Sequence, residues 1–335
     1  MRVRSDVKKH VSILLIVLGL ILVFAFVFFL ISKWEARNGS ADITDPDSQA
    51  YQPGALCIDD KWYVPKADIT TVLGIGIDKF QSETSNDSYN NIQRADFLML
   101  LILDRKNDSY KLIHINRDTM ADIPVLGIFG DPAGSFPGQL ALSHTYGSGG
   151  KDSCQNTVKA ISDFLLGARI DHYVSFTMDV VPKITDSVGG VTLTLLDDFT
   201  MIDPAMKKGT EFTLTGEKAL AYVRARKLLD DATNIKRMKR QRQFLSALKE
   251  KTSGCVFDDE DFIKDMMKIL SEYVVSDCTV NQLAEFGDDV AEWSGGEIIK
   301  IPGEAKTGEK YIEFYADENA LKDIVLSLLY EPCPK

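Results

Sequence analysis

The hydrophobic pattern opens with an uncharged run, VSILLIVLGLILVFAFVFFLIS, at residues 11–32. As a helix it spans roughly 33 Å, the thickness of the hydrocarbon core of a bilayer. A cleaved signal peptide carries a shorter apolar region ending in small residues. Here the run ends in Phe28, Phe29, Leu30 and Ile31, with Trp34 just beyond. The pattern predicts a transmembrane anchor. Arg2, Arg4, Lys8 and Lys9 precede it, whereas Lys33, Glu35 and Arg37 nearly cancel after it. The positive-inside rule then leaves residues 1–10 in the cytoplasm and carries everything after the span outside. The expected localisation is a single-pass protein of the cell membrane. Residues 33–66, rich in Asn, Gly, Ser, Asp and Pro, read as a linker. Residues 67–335 read as one extracytoplasmic domain.

Within that domain the period of the pattern changes repeatedly. ITTVLGIGI (69–77), DFLMLLIL (96–103), YKLIHIN (110–116), HYVSFT (172–177) and VTLTLL (191–196) predict strands. CQNTVKAISDFLLG (154–167), the stretch ending in the Gly189–Gly190 pair, GEKALAYVRAR, NIKRMKRQRQFLSALKEK and residues 258–275 predict helices. A strand near 297–301 and a helix near 317–330 complete the pattern. Helices alternating with near-continuous apolar strands predict an α/β fold, a three-layer α/β/α sandwich on a mixed central sheet.

Charge changes the picture locally. The chain carries a net charge of −11, and its first 37 residues are net basic. The remainder is therefore strongly acidic, which argues against a nucleic-acid partner. Five cysteines, at 57, 154, 255, 278 and 333, show no pairing framework and no CxxC spacing. Gly74 and Gly76 lack the third glycine of a dinucleotide loop, and no Walker lysine, HExxH or GxSxG is present.

Against this acidic background, residues 223–243 hold Arg224, Arg226, Lys227, Lys236, Arg237, Lys239, Arg240 and Arg242 against Asp230 and Asp231. At about 100° per residue, Met238, Phe244, Leu245 and Leu248 form the apolar stripe of a helix. Arg237 and Gln241 fall inside that stripe and Arg240 at its edge. A buried arginine requires a partner. That partner is either a carboxylate or a phosphate, and helix geometry leaves both open. GIGID closes a strand at Asp78, and RADFLMLLILD places Arg94 and Asp96 two residues apart, hence on one face. Two carboxylates at neighbouring strand ends beside arginines suit Mg²⁺ bridging to phosphate, or plain salt bridges. HINRDTMADIP sets Arg117 and Asp118 at a sheet edge, where α/β ligands bind or where Asp118 and Thr119 merely cap a turn.

Taken in order, GIGID, RADFLMLLILD, HINRDTMADIP, IDHYVSFT, VGGVTLTL, LTGEKALAYVRARK and RMKRQRQFL resemble the LytR–CpsA–Psr family over about residues 70–250. The resemblance implies a glycopolymer–peptidoglycan phosphotransferase. Its donor is a polyprenyl-pyrophosphate glycan of teichoic-acid or capsule type, and its acceptor is peptidoglycan. It implies Mg²⁺ (or Mn²⁺) on Asp78 and Asp96, and a pyrophosphate clamp of Arg94, Arg117, Arg224, Arg226, Arg237, Arg240 and Gln241. Asp96 and Arg117 are the implied catalytic pair. The chain departs from the pattern at Asn116, where proline is usual, at Asn234, where aspartate is common, at Ala121 and in ALSHTYG (141–147). His144 in that stretch reads as a structural or exposed loop histidine. The sequence does not identify the lining of a lipid-tail groove; the apolar strands around Leu98–Leu103 and Val191–Leu196 are candidates. Two rival activities remain at this level: hydrolysis of a lipid pyrophosphate, and non-enzymatic sensing. With a tail of ten residues inside the cell, direct DNA reading is disfavoured.

Overall fold

The computed structural model describes residues 54–78, 91–226, 229, 233–253, 272–309 and 311–333. The expected anchor at 11–32 lies outside the described residues, as do most of the linker, the bulk of the helix expected over 258–275, and Cys255. Among the described residues, no helix is long and apolar enough to cross a membrane.

The strands are β1 (Leu56–Ile58), β2 (Lys61–Pro65), β3 (Ile69–Ile77), β4 (Ala95–Asp104), β5 (Ser109–Ile115), β6 (Met120–Leu126), β7 (Pro132–Gln139), β8 (His172–Thr177), β9 (Val191–Thr194), β10 (Glu211–Leu214), β11 (Val274–Ser276), β12 (Ser294–Lys300), β13 (Gly303–Thr307), β14 (Ile312–Ala316) and β15 (Tyr330–Pro332). The helices are α1 (Lys151–Phe164), α2 (Val180–Ser187), α3 (Gly216–Arg224), α4 (Ile235–Ser253), α5 (Val280–Glu292) and α6 (Glu318–Leu329).

Six strands form the central sheet, in the order β11-β8-β3-β4-β5-β12. β8 with β3 and β5 with β12 run parallel, and the other pairs run antiparallel. Side chains of the central strands alternate between two cores, because successive residues of a strand point to opposite faces. Leu73, Ile75, Leu98, Leu100 and Ile113 pack with Cys154 and Ile161 of α1 and with Val325 and Leu329 of α6. Met99, Leu101, Leu112 and Phe176 pack with Ile184 of α2, Val223 of α3, Phe244 and Leu248 of α4 and Val290 of α5. The result is the expected mixed α/β fold, with helices on both faces of the sheet.

Three details differ from the pattern reading. The end of the expected linker is folded: β1 and β2 pair with each other, and β2 pairs with the C-terminal β15. The segment at 274–276, read as a helix end, is an edge strand antiparallel to β8; its Val274–Val275 pair has the β-branched character that strands favour. The 191–196 run does not enter the central sheet but forms a separate hairpin with β10. A second hairpin, β6–β7, follows the HINRDT turn.

Gly74 and Gly76 have a structural consequence. Both point to the α2–α5 face of β3, where every other position is filled. A Cβ at Gly76 would lie 2.8 Å from Phe97 Cβ and 3.1 Å from the Phe176 ring. Gly74 instead lines a cavity between sheet and helices of about 930 Å³, open mouth included. Phe97, Met99 and Leu101 form its floor and Ile184, Phe244 and Leu248 its walls, while Gln241 is a polar residue on its lining. The Leu98–Leu103 strand therefore contributes through the residues of its cavity-facing side. The Val191–Leu196 segment is not among the lining residues, and that expectation is corrected.

Candidate functional site

The carboxyl end of β3 and the start of β4 meet at a register shift. Ile77 pairs with Ala95 and Gly76 with Phe97, so Asp96 is the extra residue of a β-bulge. A bulge re-aims a side chain. Arg94 is exposed, whereas the Asp96 carboxylate is largely covered. The shared face expected for these two residues is thus broken by the bulge.

Around Asp96 the structure gathers three arginines. Arg117 Nη1 pairs with Asp96 Oδ1, and Arg237 Nη1 lies 3.7 Å from Asp96 Oδ2. Arg117 Nε also donates to Asp118 Oδ1 at 3.1 Å, and Arg226 Nη2 lies 3.3 Å from Asp118 Oδ2. Gln139 Nε2, from the end of β7, donates to Asp118 Oδ1 at 3.3 Å. Arg237 is only 3 % exposed. Its pKa is pushed down to about 9, first by burial and then by Arg117 and Arg226. The Arg117 pKa is also lowered, chiefly by burial, with Arg226 and Arg94 opposing its charge and Asp118 supporting it. A guanidinium keeps its proton in proteins, so crowding of this kind is relieved by a bound anion. Planar forks of N–H donors match phosphate oxygens.

Of the remaining expected residues, Arg224 pairs with Asp78 through Nη2 and Oδ2 at 2.9 Å. Gln241 Nε2 donates to the Val223 carbonyl at 3.2 Å; Gln241 lies one turn along α4 from Arg237 and lines the cavity. Arg240 departs from the clamp. It is fully buried, and its donors go to the Tyr222 carbonyl at 2.8 Å, to the Ala225 carbonyl and to Asp197 Oδ2 at 2.5 Å. It satisfies the carbonyls that end α3 and holds α3 to α4. We correct its assignment from pyrophosphate ligand to structural strut.

Among the described residues, the buried Oδ1 of Asp78 has no hydrogen-bond partner. A desolvated carboxylate oxygen left without a donor fits a cation, and two carboxylates beside phosphate oxygens match the donor set of Mg²⁺. Another cluster, His172, Asp277 and Cys278, lies at the far end of β8. There, Gln282 Oε1 accepts from Thr279 in the capping box of α5, which turns Gln282 Nε2 toward His172 Nε2 at 3.2 Å. His172 Nε2 must accept, so its proton sits on Nδ1 facing Asp277. That tautomer suits a structural hydrogen bond rather than a ligand. His144 is also structural: it is buried, its Nδ1 contacts the Gln93 carbonyl at 3.2 Å, and burial pushes its pKa down to about 4.

Sequence reasoning underrated three residues. Asp118, left open between a ligand-binding sheet edge and a turn cap, is 1 % exposed and holds both Arg117 and Arg226. Asn116 and Asn234, noted only as departures, hydrogen-bond each other at 2.9 Å. Only the adjacency of Asp118 to Arg117 was a readable signal.

The LytR_cpsA_psr family model matches residues 35–328. A polyisoprenyl-teichoic acid–peptidoglycan teichoic acid transferase TagU of Bacillus cereus (strain AH820) is 28% identical over 267 residues, 79% of this chain and 80% of the relative. The protein of that name from Bacillus subtilis (strain 168) is 28% identical over 268 residues, 79% of this chain and 78% of the relative. The crystal structure of B. subtilis TagV superposes with a TM-score of 0.58 at 26% identity, covering 78% of this chain and 96% of that one. A TagT chain bound to LI-WTA has the same fold, with a TM-score of 0.58 at 22% identity over 78% of this chain and 90% of its own. With its arginines gathered at the sheet edge beside an apolar cavity and the family pattern matched over most of its length, the chain belongs to the LytR–CpsA–Psr family.

Proposed function

We propose that the protein is a phosphotransferase that moves a glycopolymer of teichoic-acid or capsule type from a polyprenyl-pyrophosphate donor to peptidoglycan. The observation that carries this reading is the nearness of two unlike environments: a cluster of arginines around Asp96 and Asp118 that oppose one another's charge, and an apolar cavity lined in part by Gln241, one turn along α4 from Arg237. A lipid pyrophosphate has the same division. The prenyl chain enters the cavity over Gly74, Phe97 and Leu101, and the pyrophosphate meets Arg117, Arg226 and Arg237, with Arg94 and Arg224 at the solvent side.

In the reaction an acceptor hydroxyl oxygen bonds to the phosphorus that carries the glycan and loses its proton. The bond from that phosphorus to the bridging oxygen breaks, and the lipid leaves as its monophosphate. Negative charge grows on the bridging oxygen, and Arg117 and Arg237 stabilise it from fixed positions. Asp96 and Asp118 hold the Arg117 guanidinium plane in place before substrate arrives. Asp78 and Asp96 would hold Mg²⁺ (or Mn²⁺), which when bound neutralises phosphate charge. The apolar cavity keeps water from the phosphorus and so favours transfer over hydrolysis. The uncharged run at 11–32 supports a single-pass anchor with this domain outside the membrane.

The test uses the full chain, a synthetic polyprenyl-pyrophosphate saccharide, Mg²⁺ and a peptidoglycan acceptor. Acceptor-dependent release of polyprenyl monophosphate is expected, with losses of at least about a hundredfold in Arg117→Ala and Arg237→Ala and on chelation. Release that does not need the acceptor would turn the assignment to hydrolysis; tight binding without turnover would turn it to sensing.

A further inference from the structure

Two buried side-chain amides stand behind Arg237. Asn116 follows β5 and Asn234 precedes α4; they are 6 % and 2 % exposed. Asn234 Nδ2 donates to Asn116 Oδ1 at 2.9 Å, and the Asp118 backbone N–H donates to the same oxygen at 3.1 Å. At the other end, Arg237 Nε donates to Asn234 Oδ1 at 2.7 Å. Both ends of this chain are groups that can only donate, a peptide N–H and a guanidinium N–H. They therefore fix the orientation of both amides, and the Asn234 amide is left one way to point.

The bridge is neutral throughout, and this distinguishes Arg237 from its neighbours. Arg117 has carboxylates at two of its nitrogens, from Asp96 and Asp118. Arg226 faces Asp118. Among the described residues, Arg237 reaches a carboxylate only at 3.7 Å, and the other oxygen of that carboxylate is taken by Arg117. Its best hydrogen bond is to an uncharged acceptor.

We propose that Asn116 and Asn234 are positioning residues for Arg237: the amide bridge fixes the guanidinium plane without neutralising it, so that its charge is reserved for the pyrophosphate. This rests on the pyrophosphate reading above. The two amides thus act as one unit. Beside Asn116, an isosteric carboxylate at 234 would lose the proton donor that faces Asn116 Oδ1 and set two acceptors against each other.

The test measures binding of inorganic pyrophosphate to the full chain, wild type and Asn234→Asp, alongside KM and kcat for transfer and the unfolding midpoint. Asn234→Asp is expected to weaken pyrophosphate binding about tenfold and to raise KM more than it lowers kcat, with the midpoint little changed. Adding Asn116→Ala to Asn234→Asp removes the clash of acceptors and is expected to recover about threefold of the affinity. Asn116→Ala alone, with the native amide at 234, is expected to weaken binding by loosening the bridge, so the two substitutions have opposite signs together and apart. If the wild-type chain binds pyrophosphate and Asn234→Asp binds it equally well, the inference is wrong while the function stands. If Asn234→Asp lowers only the unfolding midpoint, the bridge is structural and the inference is again wrong. If the wild type binds no pyrophosphate, the function and the inference fall together.

Discussion

Arg237 and Arg240 lie three residues apart on α4, and the structure gives them opposite tasks. Arg240 is satisfied entirely by protein acceptors. Arg237 is pressed against its own kind. Replacing each with methionine should therefore separate stability from function. Arg240→Met removes the partner of Asp197 and frees two carbonyls, and should cost about 3 kcal/mol in chemical denaturation. Arg237→Met removes a repelled buried charge and should leave stability unchanged or slightly higher while abolishing transfer. A second prediction concerns two buried histidines. His114, stacked near Phe97 and contacted by Arg242, is held at about 3 by burial and then by Arg242 and Arg237, and His144 at about 4 by burial. Both folded values lie below the unfolded value of 6.5. The unfolded chain therefore takes up protons first as pH falls, and their stabilising contribution, complete above 6.5, is lost on the way to the folded values. Between pH 7 and pH 5 the loss should be roughly 2 kcal/mol per histidine. Urea midpoints at the two pH values check it, and His144→Gln should flatten the dependence if it folds.

At the scale of elements, β3 is shaped by its two glycines. Gly74→Leu should fill the cavity over the sheet and reduce affinity for a long-chain polyprenyl donor at least about tenfold, while binding of inorganic pyrophosphate stays within about twofold. Parallel titrations of the two ligands read this directly, and equal losses in both would mean the strand itself had moved. The contrast also marks how far the sequence could be read. The periodicity of α4 placed Arg237 and Gln241 inward, and both are buried, because a long helix expresses its buried face in a regular repeat. The central strands were legible for the same reason: runs such as DFLMLLIL are apolar on both faces when a sheet is covered on both sides. The bulge at Asp96 was not legible, since one extra residue in a strand leaves the composition of the strand unchanged. Nor was the fate of Arg240, which depends on where the end of α3 falls in space. The β1–β2 hairpin hid inside a linker-like composition because its partner, β15, lies at the other end of the chain.

For the molecule as a whole, the crowded arginines mean that the empty protein is not at its most stable. Pyrophosphate at a hundred times its Kd should raise the unfolding free energy by about 2.7 kcal/mol. At a fixed pyrophosphate concentration the gain should shrink as salt increases, because salt screens the attraction between the anion and the arginine site; a thermal-shift titration at two ionic strengths measures both. The small sheet β1-β2-β15 has a further consequence. Cys333 N donates to the Trp62 carbonyl at 2.9 Å, so the first and last strands of the folded domain are laced to one another across β2. Topologically the domain is nearly a closed ring. A short peptide splice between its two ends, with a new opening cut at the exposed β6–β7 tip around Phe129, should yield a circularly permuted protein with the same site, and any cargo fused behind Cys333 would ride beside the entry strand rather than beside the arginines.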